Sequence, residues 1–460
     1  MGAAAGCSWL LALALCGPGV AARPLSVGFV DGVYLADDAA IREAWLERSR
    51  RAGATVVRIS LTWSAVAPTQ PPPGFVASDP ADPAYRWDRV DAAVRDAAAK
   101  GLEVILTFGD APAWAEGAGG RGDGNWRPEP AALADFAMAA AARYSGTFPD
   151  PTGSPLPRVR RWQIWNEPNL ATYLAPQGAR GAPGPSAAHY RAMLNAAYEA
   201  IKAVQADSVV ATAGTAPYGD RTGRRTSPVR FWRALLCLRG RRLARAPCQE
   251  PARFDAWAHH PYSIASPGRR ALGAADVAIA DMWKLTRIVN TAVRAGRSVP
   301  RGSKRLWITE ISWDSKPPDP NGVPAATHAR WLAESFFRLW RAGADTITWF
   351  QVRDEAPNGG FGASVQSGVY LSNGRPKRAL QAFRFPFYAT GRREGSVGLW
   401  AKSPHPGSVI FEAHRNGRWR ELGRARTGRS NLAIRAVRVS TPVQLRARVG
   451  GTTSLSVRVR

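Results

Sequence analysis

The run Arg160-Arg161-Trp162-Gln163-Ile164-Trp165 reads as a buried strand that passes directly into Asn166-Glu167-Pro168-Asn169. A carboxylate beside a carboxamide at the mouth of a strand is placed for acid–base work rather than for packing. Asn-Glu-Pro on its own occurs by chance in roughly 5% of chains this long. Its weight therefore depends on a second carboxylate at the right structural interval. Ile308-Thr309-Glu310 supplies one, again at the end of an apolar run. Other polar or aromatic groups fall at comparable positions: Arg58, His260-Pro261-Tyr262, Trp349 and Gln351.

Bringing separate strand ends to one place requires a particular scaffold. Short apolar runs rich in β-branched residues lie at 27–30, 55–61, 103–108, the stretch just described, 208–214, 254–260, 305–310 and 345–351. Helical stretches alternate with them. One covers 38–52, with Ile41, Trp45 and Leu46 at helical spacing behind Asp37 and Asp38 as capping candidates. Others are an Ala-rich helix from Asp88 to Lys100, one near 129–144, one marked by Tyr190, Leu194, Tyr198 and Ile201, and two at 275–295 and 325–342. Because no hairpin signal interrupts the alternation, the sheet should be parallel with crossover helices. Eight such units close into an α/β fold of the (β/α)8 barrel type. An open doubly wound sheet is the weaker alternative, since no glycine-rich nucleotide loop follows the first strand. Chemistry in such barrels occupies the C-terminal ends of the strands. Strands four and seven lie across the mouth from each other, so Glu167 and Glu310 should face one cavity. Strict alternation would send Asn166 and Glu167 to opposite faces, which calls for a bend at the strand end.

This constellation resembles the retaining glycoside hydrolases of clan A, the cellulase-like superfamily, over most of residues 26–388. Trp165-Asn166-Glu167-Pro168, His260-Pro261-Tyr262, Ile308-Thr309-Glu310 and Trp349 carry the resemblance. The Trp87-Asp88 opening and the Pro112-Ala113-Trp114 loop are most similar to family 39, with family 5 next. The resemblance implies double displacement at a β-glycosidic linkage of an oligo- or polysaccharide, with Glu167 as general acid/base and Glu310 as nucleophile. It also implies that Asn166 binds the sugar 2-hydroxyl and Trp349 stacks under the ring. Arg58 and Tyr262 should hold Glu310 ionised, with His260 beside them. Trp114 and Trp313 could line subsites, or equally pack the barrel rim, as could Trp63. An ion pair is the structural alternative for Arg58, a core position for His260, and a solvated loop for Asp354 and Glu355. No cofactor is implied. A metal is not expected, because His259 and His260 point opposite ways from adjacent strand positions. A transglycosylase would use the same residues, and a sugar- or wall-binding barrel without turnover is the non-enzymatic alternative.

The flanking segments set the context. Residues 1–22 read as a secretory signal: the apolar run 9–15 is too short to span a bilayer, and the small residues Val20-Ala21-Ala22 follow. The mature chain, a barrel domain over 23–390, is expected to be a secreted monomer without a membrane span. Two of the four cysteines fall in that signal, and Cys237 and Cys248 lie close together in an Arg-rich loop, where an exported protein would join them. Past Pro386 the period changes to two: Val443, Leu445, Ala447 and Val449 alternate with polar residues, so 391–460 should be a small all-β sandwich. That tail holds 15 Lys and Arg against 3 Asp and Glu, within a chain of net charge +27. A coding bias toward Arg, Ala, Gly and Pro explains the excess more simply than a role in binding an anionic cell-wall polymer. Nucleic acid is disfavoured, because no recognition motif is present.

Overall fold

The computed structural model describes residues 23–178, 184–357, 359–390, 395–428, 431–440 and 442–459. The expected signal therefore lies outside the described residues. The barrel strands are β1 (Ser26–Val30), β2 (Val56–Thr62), β3 (Glu103–Gly109), β4 (Arg161–Ile164), β5 (Val209–Thr215), β6 (Ala256–His259), β7 (Arg305–Ile308) and β8 (Ala344–Phe350). Each pairs in parallel with its neighbour in sequence, and β8 pairs with β1 to close the ring. Between them run α1 (Ala39–Arg51), α2 (Asp88–Ala99), α3 (Pro130–Arg143), α4 (Ser186–Val204), α5 (Pro228–Leu235), α6 (Trp283–Arg294) and α7 (Ala325–Ala342), and α8 (Arg378–Arg384) follows β8. This is the expected (β/α)8 barrel.

Local chemistry explains the details. Asp38 caps α1 by accepting from the backbone N–H of Ala40 at 2.8 Å. Ile41 is left exposed and Arg42 is buried instead, because its guanidinium bonds Asp96 at 2.6 Å and the Ala36 carbonyl at 2.7 Å. Helix α5 gave no signal in the periodicity: it is eight residues long, starts at Pro228, and buries Phe231, Trp232 and Leu235. Helix α6 begins at Trp283, so the front part of the expected 275–295 helix is loop with one tight turn at Ile279–Asp281. Inside the barrel, Trp307 fills the space left by Ala211, Ala256 and Ala258, with Val56 and Ile105 around it. Cys237 and Cys248 form a disulfide with Cα atoms 5.6 Å apart. Among the described residues no helix is long and apolar enough to cross a membrane.

A second compact unit starts at Phe385, not at 391. The reason is β9 (Phe387–Ala389), which pairs with β10 (Ser396–Lys402) and so belongs to the new unit. Strand β10 also pairs with β13 (Leu432–Arg438), while β11 (Ser408–Arg415) lies between β12 (Arg418–Arg426) and β14 (Val443–Val449). All these pairings are antiparallel. Phe387, Val397, Leu399, Phe411, Leu445 and Ala447 from both sheets share one core.

Candidate active site

The site is built on a buried guanidinium. Arg58, on β2, is 4% exposed and donates to four side chains. Its Nε reaches Thr107 Oγ1 at 2.9 Å and Gln163 Oε1 at 2.8 Å. Nη1 reaches Glu310 Oε1 at 2.6 Å and Nη2 reaches Asn166 Oδ1 at 2.9 Å. A guanidinium carries donors only, in a rigid plane, so one residue fixes groups from β3, β4 and the end of β7 together. Gln163 then donates from Nε2 to Thr309 Oγ1 at 3.0 Å. The sequence alone assigns no role to Thr107, Gln163 or Thr309. The available signal was polarity at inward strand positions of an otherwise apolar barrel.

Beyond Ile164 the chain leaves strand geometry. Trp165 and Glu167 adopt φ of +76° and +35°, the left-handed region that costs a non-glycine residue on the order of 1–3 kcal/mol. That irregularity resolves the alternation conflict: Asn166 meets Arg58 while Glu167 meets His260. Asn169 holds the turn, donating to the carbonyls of Ala216 and Thr226 at 3.1 and 2.9 Å and accepting from the Ala216 N–H at 2.8 Å.

His260 is fully buried between the two carboxylates. Its Nδ1 lies 2.9 Å from Glu167 Oε1 and 3.7 Å from Glu310 Oε2, and its Nε2 lies 2.9 Å from Thr309 Oγ1. Gly214 on β5 makes room for the ring, since a Cβ there would stand 2.1 Å from Nε2. Tyr262 donates to Glu310 Oε2 at 3.0 Å. One oxygen of Glu167, one of Glu310 and a nitrogen of His260 all lie within 4.8 Å of one another. Burial works against ionisation of Glu310, but the attraction of His260 and Arg58 and the hydrogen bonds from Arg58 and Tyr262 outweigh it, holding the carboxyl below its ordinary range. Burial and the two carboxylates push the Tyr262 phenol well up, so it stays a donor. Tyr173, pushed to about 12 by burial and then by Glu167, Glu310 and Asp110, belongs to the same electrostatic field.

Two carboxylates and an imidazole at this spacing also match a divalent cation's donor set. The surrounding chemistry disfavours it: Glu310 is already ion-paired with Arg58, and the His260 nitrogen that faces the carboxylates is bonded to Glu167. A cation here would stand beside a fixed positive charge.

The aromatic expectations need correction. Trp349 is fully buried, points outward to His328 on α7 and to Trp313, and donates from Nε1 to the Ser367 carbonyl at 2.8 Å, so it offers no face to a ligand. Parity explains this. Thr346 points inward, where Arg161 on β4 reaches it, so Thr348 and Phe350 share the inner face and Trp349 the outer one. Phe350, partly exposed at the strand end, is the aromatic residue on the inner face. Trp313 packs between Trp331 and Trp349 and donates to the Ser263 carbonyl at 2.7 Å. Trp114, half-buried, donates to the Pro68 carbonyl at 2.8 Å and packs edge-on against Trp63. Both serve the rim. Asp354 is a buried ion-pair partner of Lys377 at 2.5 Å rather than a solvated loop residue.

No family model matches the chain, and no curated protein matches it in sequence. Solved structures do. A family 39 glycoside hydrolase from the gut symbiont Bacteroides cellulosilyticus WH2 superposes with a TM-score of 0.56 at 18% identity, covering 91% of this chain and 81% of that one. A glucosidase from Croceicoccus marinus gives a TM-score of 0.51 at 12% identity, covering 94% of this chain and 96% of that one. The chain thus has the fold of the TIM-barrel glycoside hydrolases of clan A, at low sequence identity.

Proposed function

We propose that this protein is a secreted retaining glycoside hydrolase that cleaves a β-glycosidic linkage in an oligo- or polysaccharide. The observation that carries the reading is the carboxylate pair at the ends of β4 and β7, with oxygens within 4.8 Å. Carboxyl groups about 5–5.5 Å apart suit double displacement, whereas inverting enzymes need roughly 6.5–9.5 Å to admit water between them. Glu310, held ionised by Arg58 and Tyr262, attacks the anomeric carbon. As the glycosidic C–O bond breaks, Glu167 gives its proton to the departing oxygen. His260 occupies Oε1 of Glu167, which leaves Oε2 to carry that proton. In the second step Glu167 takes a proton from water, the water oxygen attacks the same carbon, and Glu310 is released. Asn166, anchored through Oδ1, keeps its amide N–H free for a sugar hydroxyl. The disulfide in the Arg-rich loop supports export to an oxidising compartment.

A panel of activated 2-fluoro-glycosides tests this. One member should add its glycosyl mass to the protein, and Glu310→Ala should abolish the addition. Failure of every sugar to label the folded wild type would leave a sugar-binding barrel without turnover.

A further inference from the structure

A groove of about 520 Å³ lies on the outside of the barrel, between α6, α7 and the tight turn at Ile279–Asp281. From α6 it is lined by Trp283, Thr286, Arg287 and Asn290, and from α7 by Arg338 and Arg341. Its size falls in the range of small-molecule sites, roughly 300–1,000 Å³. Trp283 is the unusual member: it is 52% exposed, whereas the other tryptophans among the described residues are buried or half-buried. Positions 283, 286, 287 and 290 repeat at helical spacing, so the indole, a hydroxyl, a guanidinium and a carboxamide share one face.

The charge of the groove is uncompensated. Arg338 is paired with Glu334 at 2.7 Å, but among the described residues no carboxylate pairs with Arg287 or Arg341. Among the described residues Arg287 donates to the Arg241 carbonyl, at 3.4 Å, and Arg341 lies over the Phe337 ring. The nearby carboxylate of Asp281 is turned inward, to Lys284 at 3.1 Å and to the Ala271 N–H at 2.7 Å. After burial, it is the charges of Arg287 and Arg241 that pull the neighbouring Arg233 below its ordinary value, a sign of positive field without a counter-charge.

We propose that this groove is a second carbohydrate-binding site, separate from the catalytic carboxylates, that holds an anionic polysaccharide bearing uronate residues. A pyranose ring presents a face of C–H bonds, which an exposed indole covers; Asn290 offers a carboxamide to its hydroxyls, and Thr286, whose own proton goes to the Met282 carbonyl at 3.1 Å, offers an acceptor oxygen. A ring carboxylate supplies the planar, bidentate counter-ion that the guanidinium groups of Arg287 and Arg341 lack among the described residues. A neutral glucan would leave those two charges unmatched.

The test is titration calorimetry of the full chain with hexagalacturonate, cellohexaose and inorganic polyphosphate. The structure predicts that hexagalacturonate binds wild type and Glu310→Ala alike, and binds at least tenfold more tightly than cellohexaose. It also predicts that Trp283→Ala and the Arg287→Ala/Arg341→Ala double variant each lose at least tenfold, while labelling by an activated glycoside is unchanged in both. All three side chains are solvent-exposed or groove-lining, so folding should survive, and the retained labelling confirms it. Undiminished hexagalacturonate binding in Trp283→Ala would overturn the proposal, as would equal affinity for cellohexaose. Polyphosphate binding as tight as that of hexagalacturonate, and insensitive to Trp283, would reduce the groove to a charge patch and also overturn it. Because Glu310 labelling is read separately, failure here leaves the catalytic reading intact, and the converse also holds.

Discussion

A guanidinium that can only donate sets the polarity of everything wired to it. Arg58 requires the oxygen of Gln163 to face it, so the Gln163 amide N–H points to Thr309 Oγ1. Thr309 Oγ1 in turn lies 2.9 Å from His260 Nε2, and the imidazole's other nitrogen, Nδ1, faces Glu167 Oε1 at 2.9 Å. The chain Arg58–Gln163–Thr309–His260 thus orients the proposed acid/base from across the barrel. Gln163→Leu should lower kcat about tenfold or more with KM little changed, whereas Glu167→Ala should cost about 10²–10⁴-fold with ordinary substrates and far less with an activated aryl leaving group that needs no proton. Steady-state kinetics on paired substrates separates the two, and equal losses on both leaving groups would remove Glu167 from the acid role. Tyr262→Phe deletes one of the bonds that hold Glu310 down. Since Glu310 must be ionised to attack, the acid limb of kcat/KM should move to higher pH in that variant, and an unmoved limb would mean that Tyr262 does not tune the nucleophile.

Strand ends convert these side chains into a site, and they are where sequence reasoning succeeded and failed. Glu167, Glu310, Asn166, His260 and Tyr262 were legible because a strand's termination places its last polar residues at the mouth, whatever the exact packing. Arg58 lies inside β2 instead, and it is its long side chain that reaches Glu310 and Asn166. Trp349 was misplaced by one residue, and in a strand one residue is a change of face: its neighbour Phe350 points inward. Helix α5 was invisible, since two turns give periodicity too little length, although Ser227-Pro228 ahead of Phe231, Trp232 and Leu235 was a usable start signal. Ile41 and Arg42 exchanged places because an ion pair with Asp96 overrode hydrophobicity. The left-handed turn at Trp165 and Glu167 could be anticipated as a need, but no residue type there announced it. Gly214 on β5 belongs to the same level. Its alanine variant must displace either the His260 ring or the β5 backbone, so about 1–3 kcal/mol of stability should go, together with most of the activity. Thermal melting and turnover of Gly214→Ala check this, and full activity would show that the ring does not need its present position.

Across the whole molecule, the closure of the barrel carries a pH dependence of its own. Asp31 follows β1 and accepts the backbone N–H groups of Val33, Val352 and Arg353 at 2.9, 3.1 and 3.2 Å, so its carboxyl ties the first strand of the ring to the loop after the last. Burial raises it from 3.8 to about 6, against the pull of those hydrogen bonds and of Arg353. Burial likewise raises Asp354, in the same loop, to about 6, against the charge of Lys377. An acid whose folded value exceeds its unfolded one binds more protons in the native state between the two. Its contribution is therefore most favourable below about 4 and is lost as pH climbs through about 6. For Asp31 the difference amounts to on the order of 3 kcal/mol. Glu310 works in the opposite sense: held below its ordinary value, it stabilises above about pH 4.5 and loses that contribution on further acidification. Together they place the stability maximum on the acid side, with Tm declining as pH rises through about 6 and levelling above it. Calorimetric melting over pH 4.5–8 should show that decline in the wild type and a shallower one in Asp31→Asn, which cannot ionise. A wild-type Tm that is flat or rising between pH 5 and 8 would mean that the carboxylate joining β1 to the β8 loop is ionised at no cost to the closed ring.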